Sequence, residues 1–93
     1  MAKLDGKDAQ AIALDALSWT LANDDRAQRF IALTGIDADT LRVSLADDRV
    51  LAGVLTYLEA HEPDMLACAD AMGHPATALV AARIALTGRE PTA

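Results

Sequence analysis

The sequence predicts an all-α fold, a compact bundle of about six short helices built as two similar three-helix halves. Three observations carry this. Hydrophobic residues make up 53% of the chain but aromatic ones only 3%, so the core must be assembled from Ala, Leu, Ile and Val, and Ala and Leu are the strongest helix formers. No stretch sustains the period-two alternation of a half-buried strand. Acids, Asn and glycines recur at the intervals at which short helices start and stop.

The elements follow in order. Residues 1–6 form a tail. A helix from Lys7 to Ala22 repeats Leu14, Leu17 and Leu21 at helical spacing. These are expected to face the core, widened by Ile12, Ala16 and Trp19, with Asp8, Ala11, Asp15 and Ser18 as a more polar stripe. Asn23 or Asp24 caps a second helix through Thr34, which Gly35 stops. Asp37 caps a third, reaching about Ala46, and Asp47 a fourth, from Asp48 to His61. Glu62 is expected to cap a fifth, with Pro63 in its first turn and Gly73 ending it. His74 and Pro75 open a sixth, which Gly88 ends, and residues 89–93, "REPTA", are a polar tail. Asp25 and Arg29 are spaced for an ion pair within the second helix.

The chain also repeats itself. Shifted by about 38 positions, Leu17 falls on Leu55, Ser18 on Thr56, Trp19 on Tyr57, Ala22 on Ala60 and Asp24 on Glu62. Further along, Gly35 falls on Gly73, Ala38 on Ala76 and Leu41 on Leu79. The expected unit is a long helix, a middle helix ending at Gly and a short helix starting at once. Two copies are too few for a solenoid, so the halves, roughly 8–46 and 47–88, should form one domain over 7–88 and pack face to face near two-fold symmetry. Trp19 and Tyr57 are expected to anchor the centre, each polar tip reaching a partner, the alternative being an exposed aromatic pair that forms a binding spot.

Charge and cysteine usage narrow the function. The net charge is −6, against a nucleic-acid partner, whose binding begins by neutralising phosphates. A single cysteine, Cys68, forms no internal disulfide, which points to a reducing cytoplasm. The start, "MAKLDGKDAQ", lacks the apolar core of a signal peptide. No run approaches the roughly 20 apolar residues of a membrane span. "TGIDADTLR" has the shape of a helix-turn-helix corner, but Asp37 and Asp39 would face phosphates, with only Arg42 to help. The matching helix after Gly73 begins Pro75, Ala76, Thr77, Ala78 and offers little to read bases. Asp24, Asp25, Asp37, Asp39, Asp47, Asp48, Glu62 and Asp64 all sit at expected helix starts, where negative charge complements the helix dipole.

No catalytic constellation stands out. His61 and His74 flank the fifth helix and match no zinc spacing with Cys68. Cys68 lies in "MLACADAM", a buried helical face on which a free thiol behaves as a small hydrophobe. There is no phosphate-cradling glycine loop and no nucleophile elbow. No catalytic residue, metal ligand or cofactor is assigned. The sixth helix, "ATALVAARIAL", has Arg83 as its only charge. If Leu79, Ala82 and Leu86 face the core, Val80 and Ile84 lie to one side as a candidate interaction surface. Such a helix is either central or covered by a protein partner or a second copy.

The pieces "ANDD", "RFIALTGIDADTLR" and "HEPDMLACADAMGHPATALVAAR" resemble an uncharacterised bacterial family of small helical proteins, a domain of unknown function. The resemblance covers about Ile12 to Gly88. His74 departs from the apolar residue expected after the turn glycine. Membership implies a cytoplasmic bacterial protein and supplies no catalytic residues. The expected function is thus a non-catalytic, intracellular protein-interaction module. The alternatives are a nucleic-acid-associated regulator working through the corners at Gly35 and Gly73, or a binder of a small apolar ligand held between the halves.

Overall fold

A computed structural model describes residues 6–44 and 47–87. The described residues form six helices: α1 (Gly6–Leu21), α2 (Asp24–Thr34), α3 (Ala38–Ser44), α4 (Asp48–Ala60), α5 (Glu62–Met72) and α6 (Ala76–Leu86). The expected all-α bundle is what forms. Its radius of gyration is 12.4 Å, against roughly 12 Å for a single compact domain of this length. No described helix is long and apolar enough to cross a membrane. Gly6, expected as the end of the tail, opens α1, while the expected ends of the third and sixth helices, Ala46 and Gly88, and the rest of both tails lie outside the described residues.

Local chemistry sets the boundaries. The Asn23 side chain accepts from the Arg26 N–H at 3.0 Å, Asp37 from Thr40 at 2.8 Å and Asp47 from Arg49 at 2.8 Å. Those donated N–H groups hold the Asp37 and Asp47 carboxyls below the usual carboxylate range. Gly35 and Gly73 both adopt φ 75°, the left-handed conformation that lets the chain turn out of α2 and α5. Glu62 does not cap α5. It is the first helical residue, and the cap position belongs to His61, which makes no side-chain cap bond. Arg29 does not pair with Asp25 either. It crosses to Asp64 on α5 at 2.8 Å.

The repeat recurs in the positions of the helices. Moving α2 forward by the repeat length lands both its ends on those of α5. Gln10 donates to Asp48 at 2.9 Å across a separation of 38 residues, so two residues at equivalent repeat positions touch each other. The packing of α1 on α2 is matched by α4 on α5, and that of α1 on α5 by α4 on α2. Four helices thus pack in matching pairs, and the third helix of each half does not. α6 lies along both α1 and α4 and also meets α5, whereas α3 touches its neighbours only marginally over its described residues. Sequence explains the difference: α6 is apolar on most sides, while α3 carries Asp39 and Arg42, paired at 3.3 Å, in seven residues.

The core also corrects one expectation. The buried side of α1 is Ala9, Ile12, Ala13, Ala16, Leu17 and Thr20. Leu14 and Leu21 are each 37% exposed. Leu17, Ile12 and Ala16 face inward as expected, and alanines on that side let α4 and α6 come close, while Leu14 and Leu21 turn outward.

Candidate functional site

Among the described residues a shallow, open cleft of about 500 Å³ runs along α4. Its floor is Ala52, Gly53, Thr56 and Ala60. One wall is Leu33 and Thr34 at the end of α2 with Ile36 from the corner, and the far end is closed by His61 and Thr87. The corner is held rigidly. Thr34 Oγ1 donates to the Phe30 carbonyl at 2.7 Å and accepts from the Ile36 N–H at 3.1 Å, while the Gly35 N–H reaches the Ile31 carbonyl at 2.9 Å. Ile36 is thereby seated on α4, its Cδ1 only 3.3 Å from where a Cβ on Gly53 would stand. Leu33 rises at the rim, 60% exposed.

The repeat shows how the cleft arises. Where α1 carries Leu14 and Asp15, α4 carries Ala52 and Gly53. The hollow is made by small side chains at two positions. A glycine inside a helix costs roughly 0.5–1 kcal/mol relative to alanine, so Gly53 is kept at some expense to the helix.

Aromatic groups floor the deep side. Tyr57 is buried, meets Phe30 edge-on with centroids 5.3 Å apart, and is stacked by His61 at 4.5 Å. His61 Nδ1 donates to the Tyr57 carbonyl at 2.8 Å, which fixes that nitrogen as the protonated one and leaves Nε2 as the second polar atom of the ring. The Tyr57 hydroxyl is buried without a partner among the described residues, contrary to the expectation that each aromatic tip finds one. Its repeat mate Trp19 is half-buried and lies under the Arg26 guanidinium, 3.6 Å from the ring centroid, and Arg26 also donates to the Trp19 carbonyl. The two aromatics are thus not a matched central pair: Tyr57 is core and Trp19 is flanking.

The sequence-predicted surface lies elsewhere. Val80 and Ile84 are half-buried on α6, Val80 packed against the core, and neither lines the cleft. The sequence reading missed Leu33, Ala52, Gly53 and Thr56. The signal that would have found them is the pair of small residues breaking the repeat, one a mid-helix glycine. At the Gly35 corner the only cation of α3, Arg42, is engaged with Asp39.

Cys68 is fully buried, its Sγ 3.4 Å from Met72 Sδ. Burial pushes the thiol from 9.0 up to about 11, against the opposing pull of Arg26. Native protein at neutral pH should therefore resist a thiol-specific disulfide reagent and react stoichiometrically once denatured. The sign of the linkage also follows. With the folded value raised, the contribution to stability is complete below the unfolded thiol's value and is lost as pH climbs toward 11. Unfolding midpoints of wild type and Cys68→Ala should converge over that window, and a constant gap would contradict it.

Residues 6–89 match the family described as "Protein of unknown function (DUF3572)", and the chain belongs to that family. No curated protein and no solved structure matches it.

Proposed function

We propose that this family member is a non-catalytic helical module that docks a protein partner through the cleft on α4. The observation that carries the reading is the cleft itself: an apolar hollow made by Ala52 and Gly53, with Leu33 standing exposed at its rim. Exposed apolar surface of this kind, gathered around a concavity, is characteristic of interaction sites. The ionisable side chains among its described lining residues are Arg49, Tyr57 and His61, and no lining residue is a carboxylate. Arg49 is engaged with Asp47 at 3.6 Å. The setting expected for such a module is the cytoplasm.

Thr56→Trp tests this. Thr56 is exposed on the cleft floor, so an indole there covers the hollow without disturbing the core. Recovery of bound protein from native lysate should fall at least tenfold, about 1.4 kcal/mol, with the melting temperature unchanged. Equal recovery of the same proteins by both forms would remove the cleft as the site. A second reading, a small apolar ligand, is favoured by the volume, which lies within the roughly 300–1,000 Å³ of ligand pockets. Native mass spectrometry separates the two: a small-molecule adduct on wild type that Thr56→Trp lacks would replace the protein partner.

A further inference from the structure

The bundle buries one face of α1 and leaves two leucines, Leu14 and Leu21, on the opposite side. That side carries Ala11, Leu14, Ser18 and Leu21, all exposed and spaced three, four and three residues apart. That alternation is the seam by which one helix pairs with another. Leu14 and Leu21 are on the outside, while Ala9, Ala13 and Ala16 with Ile12 and Leu17 fill the inner side of the same helix.

Charge selects the occupant. Asp15 stands beside Leu14 in the third turn, too deep in the helix for the dipole to explain it, and it forms no ion pair among the described residues. At the end of the seam α2 opens with Asp24 and Asp25, both exposed and equally without an ion pair. The described arginines are committed elsewhere: Arg29, Arg42, Arg49 and Arg83 to Asp64, Asp39, Asp47 and Glu59, and Arg26 to Trp19. Lys7 stands one turn before Ala11 on the same face, and against its single positive charge Asp15, Asp24 and Asp25 leave the balance beside the seam negative. A second copy fits poorly. Antiparallel pairing sets Asp15 beside its own copy, and parallel pairing brings the Asp24–Asp25 ends together.

We propose that the outer face of α1 receives an amphipathic helix of a partner protein that presents a stripe of aliphatic side chains flanked by lysine or arginine. This surface is distinct from the cleft on α4 and stands or falls separately. The probe is a synthetic three-heptad peptide with leucine on the seam and lysine on both flanks, titrated into labelled full-length protein at about 0.15 M salt, where exposed charges act over roughly 8 Å. Amide shifts should centre on Ala11, Leu14, Ser18 and Leu21. Asp15→Lys should weaken binding at least tenfold and Asp15→Asn severalfold. Asp70→Lys, an exposed acid on α5, should change it less than twofold, and Thr56→Trp should leave it unchanged. A peptide with glutamate flanks should not bind. The proposal is overturned by absence of binding, by shifts centred on the α4 cleft, or by Asp70→Lys weakening binding as much as Asp15→Lys, which would mark simple attraction to an acidic protein.

Discussion

Phe30→Ala is expected to destabilise the protein by about 3–5 kcal/mol. Phe30 is the only phenylalanine, fully buried on α2, and its ring edge meets Tyr57. In an alanine- and leucine-lined core the lost volume has few large side chains to flow into it. The repeat offers no spare, because the equivalent position in the second half is Cys68, a much smaller group. Against the roughly 5–15 kcal/mol that hold a small domain together, such a loss leaves little. With about 4–8 °C per kcal/mol at this size, the melting temperature should drop by tens of degrees or the transition should vanish. Phe30→Leu, which keeps most of the volume, should cost less than about 1.5 kcal/mol. Leu33→Ala, one turn on and exposed, should stay within about 0.5 kcal/mol. Thermal and urea unfolding followed by circular dichroism measure all three. A loss near 1 kcal/mol for Phe30→Ala would mean that the α2–α4 contact is loosely packed and that the cleft beside it has no rigid wall.

What the sequence made legible and what it hid divide along physical range. Helix boundaries are written in contacts between neighbours in the chain. Asn23, Asp37 and Asp47 each accept an N–H two or three residues on, and Gly35 and Gly73 supply the one backbone conformation other residues resist. The repeat was legible for the same reason, since the local signals recur in step. The orientation of α1 was legible only in part. It has apolar residues on both sides, and whether Leu14 and Leu21 or the alanines turn inward depends on how closely α4 and α6 approach, which no local pattern records. The partner of Arg29 was hidden likewise: Asp25 is nearer in sequence, but the crossing of α2 over α5 brings Asp64 to it. The cleft sits between these cases. Ala52 and Gly53 look unremarkable in their own helix and become informative only when laid over Leu14 and Asp15.

Leu79→Ala should cost about 3–5 kcal/mol, and the equivalent change Leu41→Ala only about 1–2 kcal/mol. The two leucines hold the same position in the repeat and both are buried. What differs is the freedom of their surroundings to close over a cavity, which sets the spread of such costs at fixed chemistry. α6 is clamped against α1, α4 and α5, and Arg83 on it pairs with Glu59 on α4, so the space left by Leu79 cannot collapse. α3 is seven residues long and touches its neighbours only marginally, so it can settle into the space left by Leu41. Denaturant melts of the two variants measure the difference, and equal costs would mean that the third helix of the first half is gripped as firmly as that of the second. Repeating the Leu79→Ala melt across a wide range of protein concentration addresses what covers α6. Burial within one chain gives a midpoint independent of concentration. A midpoint that rises with concentration would mean that a second chain supplies part of the cover, and the outer residues Val80 and Ile84 would be the place to look for it.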